Sequence, residues 1–158
     1  MSPDDANDFC RRLRSYLRPG DLAVIGLDLK KNPSVILAAY NDKQGLSREF
    51  NMNLLRRINS ELHADFDTAQ FQHFPVYDPE TGSCKSYLIG LKKQTVTMKT
   101  SAGIKKIHFN ENEEIYMEIS QKYTLEQIGA MARQSSFAPM QSLFDPKKWF
   151  VDTIWKAI

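Results

Sequence analysis

Leu22 to Leu29, LAVIGLDL, is the segment that most restricts how this chain can fold. It is a short, nearly continuous apolar run between Pro19-Gly20 and Lys30-Lys31. A strand with one wet face alternates polar and apolar residues. A run without that alternation suits a strand covered on both faces, the habit of parallel sheets. No apolar run in the chain reaches the roughly 18 residues that a membrane helix needs. Upstream, Ser2-Pro3-Asp4-Asp5 combines a capping residue, a proline at the first turn and acids that suit the helix dipole. Phe9, Leu13, Tyr16 and Leu17 follow at helical spacing. A helix, a Pro-Gly turn and a buried strand together make half of a βαβ unit.

Downstream, Asn32-Pro33 opens a short helix carrying Val35, Ile36 and Ala39 and reaching Tyr40. A longer helix is expected from about Ser47 to Leu62, with Phe50, Leu54, Leu55, Ile58 and Leu62 as its apolar stripe. It has no acid at the third position after Ser47, so no capping box marks its start. From Phe71 the period changes to two. Strands are expected at Phe74–Tyr77, as one long strand bent at Gly90 over Ser86–Lys99, at Ile104–Phe109 and at Glu114–Tyr123, with turn signatures between them. Those are antiparallel hairpin signals. Thr124 and Gln127 form a capping box for a helix with Leu125, Ile128 and Met131 on its buried side. The tail is expected to close with a strand from Phe150 to Trp155.

With 42% hydrophobic and 25% charged residues, and a formal net charge of +2, the composition is that of a globular protein with no charge bias toward nucleic acid or an anionic membrane. The polar, acidic start MSPDDANDF is unlike a signal peptide. Cys10 and Cys84 are too few for a disulfide framework, and a reduced, cytoplasmic setting is the expectation. His63, His73 and His108 lack metal-ligand spacing and read as surface or partly buried histidines. The pairs Lys92-Lys93, Lys105-Lys106 and Lys147-Lys148 read as lysines guarding strand edges more readily than as an RNA surface. Ser2, Ser47 and Ser120 have no neighbouring His/Asp set for a triad. Trp149 and Trp155 read as core anchors.

Ile115-Tyr116-Met117-Glu118-Ile119-Ser120 is the most informative stretch for function. Side chains alternate faces along a strand, so Ile115, Met117 and Ile119 share one face and Tyr116, Glu118 and Ser120 the other. A carboxylate and a hydroxyl two residues apart can grip the N–H and the acceptor nitrogen of an imidazole. Taken alone, the pattern fits a solvated strand face with incidental polar residues more readily than a binding face.

Longer stretches carry a more specific signal. MEISQKYT resembles the Glu-x-Ser-x-Lys-Tyr signature of the histidine-specific methyltransferases that use S-adenosylmethionine (SAM), the family of the ergothioneine-pathway histidine Nα-methyltransferase. RPGDLAVIGLDLKKNPSVILAAYND resembles the family's central strand and the segment after it. FNMNLLRRINSELHADFD resembles its next helix. The likeness runs from about Pro3 to the end of the chain. It implies an α/β fold: the C-terminal part of a Rossmann-like methyltransferase core, residues 1–29 and 123–158, with an inserted α+β substrate-binding domain containing antiparallel hairpins, residues 30–122. By the same resemblance Glu118 and Ser120 would hold the substrate imidazole, Tyr40 would help hold its carboxylate, and Ser47 would lie near the substrate. Methyl transfer from a sulfonium is an in-line displacement whose catalysis can come mostly from positioning, and none of these groups is an obvious strong base.

The family binds SAM through a glycine-rich loop after the first core strand. The seven glycines here, at 20, 26, 45, 82, 90, 103 and 129, are scattered. Asp28 comes too late in the pattern to be a ribose-binding acid. The expectation is therefore an N-methyltransferase acting on L-histidine or a related amine, present as a truncated product, an expressed fragment or a split piece. On that reading the complete enzyme uses SAM, this chain binds none, and its partners are the small-molecule substrate and either the missing N-terminal half or a second copy. The alternative is a non-catalytic binding or interaction module derived from such an enzyme.

Overall fold

The computed structural model describes residues 1–101 and 103–158. In chain order it forms α1 (Pro3–Ser15), β1 (Leu22–Asp28), α2 (Pro33–Tyr40), α3 (Leu46–Glu61), a 3-10 turn (Thr68–Gln70), β2 (Phe71–Asp78), β3 (Ser83–Gly90), β4 (Gln94–Thr100), β5 (Gly103–Phe109), β6 (Glu114–Gln121), α4 (Leu125–Gln134), β7 (Phe137–Phe144) and β8 (Phe150–Ala157). The chain divides into two compact units. One comprises residues 1–33, 78–84 and 119–158; the other comprises 34–77 and 85–118. The turn expected over residues 100–103 includes Ala102, which lies outside the described residues.

In the first unit a three-stranded sheet has the order β1-β8-β7. Both pairings are antiparallel, from Leu22↔Lys156 to Asp28↔Phe150 and from Phe137↔Ala157 to Phe144↔Val151. The parallel, doubly covered setting expected for LAVIGLDL is therefore not what the described residues give. Ala23, Ile25 and Leu27 pack on the core with Cys10 of α1 and Met131 of α4, whereas Leu22 and Val24 are exposed. An apolar run here means one covered face and one uncovered face at a sheet edge. β7 escaped the sequence reading because Pro139 sits inside it. The register shifts between Pro139 and Gln141, the bulge that a strand proline calls for.

The Ser2 cap is present as a reciprocal box with Asp5, and Thr124 forms one with Gln127. Of the first helix's expected stripe, Leu13 and Leu17 pack inward, while Phe9 and Tyr16 face solvent and Ala6 and Cys10 take the buried positions. Trp155 is fully buried against Phe137, its ring 5.6 Å away, and its indole N–H donates to Thr153 Oγ1 at 2.8 Å. Trp149 is not a core anchor. It is exposed, and the Lys147 ammonium lies 4.5 Å from its ring centre.

In the second unit α3 lies over a core of Met52, Leu55, Phe66, Phe71, Leu88 and Phe109. The rings of Phe66, Phe71 and Phe109 contact one another at 5.6–5.9 Å. The buried face of α3 is rotated from the expected stripe: Asn51, Met52 and Leu55 are buried, and Phe50, Leu54 and Leu62 are exposed. The long strand expected over Ser86–Lys99 is two strands. β3 belongs to a sheet of order β2-β3-β6, and β4 pairs antiparallel with β5 in a separate ribbon. Gly90 marks the break, its N–H donating to Glu113 O and its carbonyl accepting from Asn112 N–H.

Candidate functional site

Tyr40 is the last residue of α2, and the chain then turns at Asp42 to start α3. Gly45 precedes this helix with φ 73° and no side chain to cap it. The cap comes from further back. The Asp42 carboxylate accepts from the N–H groups of Leu46 and Ser47 at 2.9 and 2.8 Å. Those backbone bonds, from Ser47 first and then Leu46, hold the Asp42 carboxyl down to about 2. The Ser47 hydroxyl donates to the carbonyl of Ala39 at 3.3 Å, so it pins the residue before Tyr40. A five-residue reach from Asp42 to Ser47 lies outside the capping-box spacing, which is why the sequence reading missed it.

β6 carries Glu118. The buried Ser86 of β3 donates to Glu118 Oε1 at 3.4 Å. Ile115 and Met117 pack on the core of the second unit, as their alternation requires, and Tyr116 is exposed against the edge of Tyr87. Glu118 borders a cavity of about 270 Å³ with Phe50, Asn51, Leu54 and Arg57 of α3. Asn51 is buried and makes two contacts: its amide donates to Ser47 O at 2.9 Å and lies 3.4 Å from Nε2 of the buried His73. Burial lowers the basicity of His73. The negative charges of Glu118 and Asp42 act against that shift, and the Arg48 charge adds to it. Asn51 and His73 were not singled out as site residues. Their only sequence signal is polarity on a helix and strand that are otherwise apolar inward.

In the first unit Ser120 accepts a hydrogen bond from the Lys122 ammonium at 2.6 Å. Lys122 is almost wholly buried and forms an ion pair with Asp28 Oδ2 at 2.8 Å. Asp28 also pairs with Lys31, whose ammonium donates in addition to Trp149 O at 3.1 Å. The backbone fixes this arrangement. Tyr123 N–H donates to Asp28 O, Lys30 N–H donates to Tyr123 O, and Leu29 and Tyr123 form a parallel bridge. From the other side Lys122 N–H donates to Gly82 O at 2.8 Å. Gly82 has φ 79°, and a Cβ there would come within 2.5 Å of Lys122 O, so only glycine lets the turn approach so closely. Asp28 and Ser120 border a cavity of about 360 Å³ together with Phe9, Cys10, Ile25 and Tyr123. Burial raises the Cys10 thiol and the Tyr123 phenol.

These features belong to a mixed α/β protein with antiparallel strands and a polar strand, β6, whose carboxylate and hydroxyl are each oriented by a neighbour. Residues 1–157 match the model of the family described as "Histidine-specific methyltransferase, SAM-dependent", and the chain belongs to that family. It is 32% identical over 130 residues to "Histidine N-alpha-methyltransferase" of Mycobacterium tuberculosis, covering 82% of this chain and 40% of that protein. It is 29% identical to "Histidine N-alpha-methyltransferase" of Mycolicibacterium smegmatis, covering 92% and 45%. The chain thus spans less than half the length of these curated relatives. A solved SAM-dependent methyltransferase from Clostridium acetobutylicum is 10% identical, covers 99% of this chain and 52% of that one, and superposes with a TM-score of 0.44, a level that adds nothing to the assignment.

Neither Gly26 nor Asp28 is arranged to hold SAM. Gly26, the glycine in β1, packs on Phe150, whose ring would lie 2.7 Å from an added Cβ. Asp28 is committed to Lys122 and Lys31. Among the described residues no group of three or more His, Cys, Asp or Glu could hold a metal ion.

Proposed function

We propose that this chain is the substrate-holding part of a histidine Nα-methyltransferase, with residues 30–122 as the inserted substrate-binding domain and the SAM-binding segment outside these 158 residues. The observation that supports this reading most is on β6: a carboxylate and a hydroxyl two residues apart, each already held by its own hydrogen bond. Glu118 would accept the imidazole N–H, and Ser120 would donate to the other ring nitrogen. Tyr40 would hold the substrate carboxylate, and Ser47, by fixing Ala39 O, would keep the end of α2 in place. These groups bind and orient an amine. SAM supplies the methyl group, and its binding is not a property of the residues present here.

Calorimetric titration of L-histidine into the chain tests the reading. Leaving one buried polar partner unpaired costs about 1–3 kcal/mol. Glu118→Ala and Ser120→Ala should each weaken binding by about tenfold, the equivalent of 1.4 kcal/mol. Unchanged affinity in both would assign the site to another amine. The lack of a fitting glycine cradle also supports a second reading, a binding module without catalysis. Methyl transfer to L-histidine by this chain together with a SAM-binding N-terminal part separates the two, since its absence would favour the module; micromolar one-to-one SAM binding by this chain alone would contradict both readings.

A further inference from the structure

The buried His73 of β2 and the buried Asn51 of α3 have no part in the roles given so far. We infer that His73 is a positioning residue: by accepting a hydrogen bond at Nε2 it holds the Asn51 carboxamide with its carbonyl oxygen toward the cavity beside Glu118, and so makes that cavity a place for an N–H-bearing group. This rests on the reading of Glu118 as a substrate-binding carboxylate. All of the groups involved lie in the second unit.

The orientation of Asn51 follows from what surrounds its amide. Ser47 O lies 2.9 Å from it, one turn back on the helix, and a carbonyl only accepts, so the atom there is the amide nitrogen. That nitrogen carries two hydrogens and no acceptor. It is also 3.4 Å from His73 Nε2, which therefore takes the hydrogen bond as a bare ring nitrogen and leaves the ring proton on Nδ1. With both hydrogens committed, the oxygen is the polar atom that Asn51 has left for the cavity of about 270 Å³ that it borders. Glu118 borders the same cavity as a second acceptor, and Phe50, Leu54 and Met117 supply apolar lining. Two acceptors on an apolar wall suit a group with N–H bonds and reject one that carries only lone pairs.

The arrangement holds in one protonation state. A proton on His73 Nε2 would face the Asn51 amide nitrogen donor to donor. Turning the amide over to meet it would bring Asn51 Oδ1 against Ser47 O. Either way a buried polar contact is lost. Burial disfavours the charged ring, and the Arg48 charge adds to that, while Glu118 and Asp42 pull the other way. His73 is therefore neutral at neutral pH and takes its proton below its ordinary value of 6.5.

The test has a ligand-free arm and a ligand arm, both on the 158-residue chain. In the first, 15N NMR should show His73 with its proton on Nδ1, and the side-chain NH2 signals of Asn51 should move with the His73 titration, at a midpoint below about 6.5. A proton on Nε2 at neutral pH, or Asn51 signals indifferent to that titration, overturns the inference whatever the chain binds. The second arm uses L-histidine as the probe. His73→Leu removes the acceptor and should weaken binding about tenfold at about pH 7.5. His73→Gln offers an amide oxygen that can accept where Nε2 does and that takes no proton in this range, so it should restore most of that loss. L-Histidine itself titrates here, so the readout is the ratio of wild-type to His73→Gln affinity, in which the ligand's own ionisation cancels. That ratio should fall about tenfold from about pH 7.5 to about pH 5. A merely structural role for His73 would leave it constant, and a constant ratio overturns the inference. If His73→Leu does not fold, the wild type and His73→Gln carry the ligand arm alone. The expected His73 and Asn51 signals in a chain that binds no L-histidine would uphold the positioning of Asn51 and overturn the substrate reading of Glu118.

Discussion

Replacing Asp28 by alanine removes the carboxylate that balances Lys122. The two groups are 2.8 Å apart, with the Lys122 side chain 1% exposed and Asp28 33% exposed. Removing one partner of a buried pair costs about 3–5 kcal/mol, because it leaves the other charge uncompensated. Water reaches Asp28, which places the loss at the low end, about 3 kcal/mol. The reverse change should cost less. Lys122→Met replaces the ammonium by an apolar chain of similar length, and Asp28 keeps Lys31, so about 1 kcal/mol is expected. The double variant Asp28→Ala with Lys122→Met should regain much of what Asp28→Ala loses, since the two residues touch and their effects do not add. Tryptophan fluorescence in urea is a suitable assay, because Trp149 and Trp155 both lie in the first unit. With a slope of about 1–3 kcal/mol per molar, a loss of 3 kcal/mol lowers the midpoint by roughly 1–3 M. A loss under about 1 kcal/mol for Asp28→Ala, or a double variant as weak as the sum of the singles, would refute the view that Lys122 is a charge held in place by Asp28.

Asp42 should make the start of α3 acid-sensitive. Its folded pKa, about 2, lies below its ordinary 3.8, so its contribution is complete above the ordinary value and is lost as pH falls through the folded one. The amide signals of Leu46 and Ser47 should titrate with a midpoint near that value; a midpoint at the ordinary carboxylate pKa would contradict the cap. Val24 is 68% exposed on an edge strand, so the chain should self-associate through the outer side of β1. Val24→Lys should reduce the mass seen by light scattering across a concentration series, and a strictly monomeric wild type would exclude this. Trp155→Ala should cost about 3–5 kcal/mol by opening a cavity against Phe137; a variant with unchanged urea midpoint would show that the ring is not part of the cooperative core.

Local signals in the sequence carried over where the physics was local. Ser2 with Asp5 and Thr124 with Gln127 specify their helix starts through bonds spanning three residues. The alternation of Ile115 and Met117 placed them in a core for the same reason. What failed depended on distant partners. LAVIGLDL has the composition of a doubly covered strand, but its neighbour is β8, more than a hundred residues later and antiparallel. Phe50 and Leu54 satisfy helical periodicity, yet α3 turns Asn51 and Met52 inward instead. Lys122 stands just past the end of β6, within the Glu-x-Ser-x-Lys-Tyr stretch, and nothing in that spacing shows that it is buried. Only the return of Tyr123 to Asp28 and the glycine at 82 bury it. Trp149 and Trp155 are both tryptophans of the tail, and their environments differ because Trp155 lies within β8, the middle strand of its sheet, and Trp149 just ahead of it.

The middle strand of the first sheet is the last to be made. β1 leaves the ribosome well before its hydrogen-bonding neighbour β8, which begins at Phe150. At about 5–20 residues per second, the 122 residues from Asp28 to Phe150 take roughly 6–24 s to synthesise. Throughout that interval Leu22 to Leu29 lacks β8, its hydrogen-bonding neighbour among the described strands, and β7 has no way to join it. A message cut short before residue 150 would therefore lose more than a terminal strand. It would leave β1 and β7 as two separate edges, each open to chaperones, to proteases and to other nascent chains.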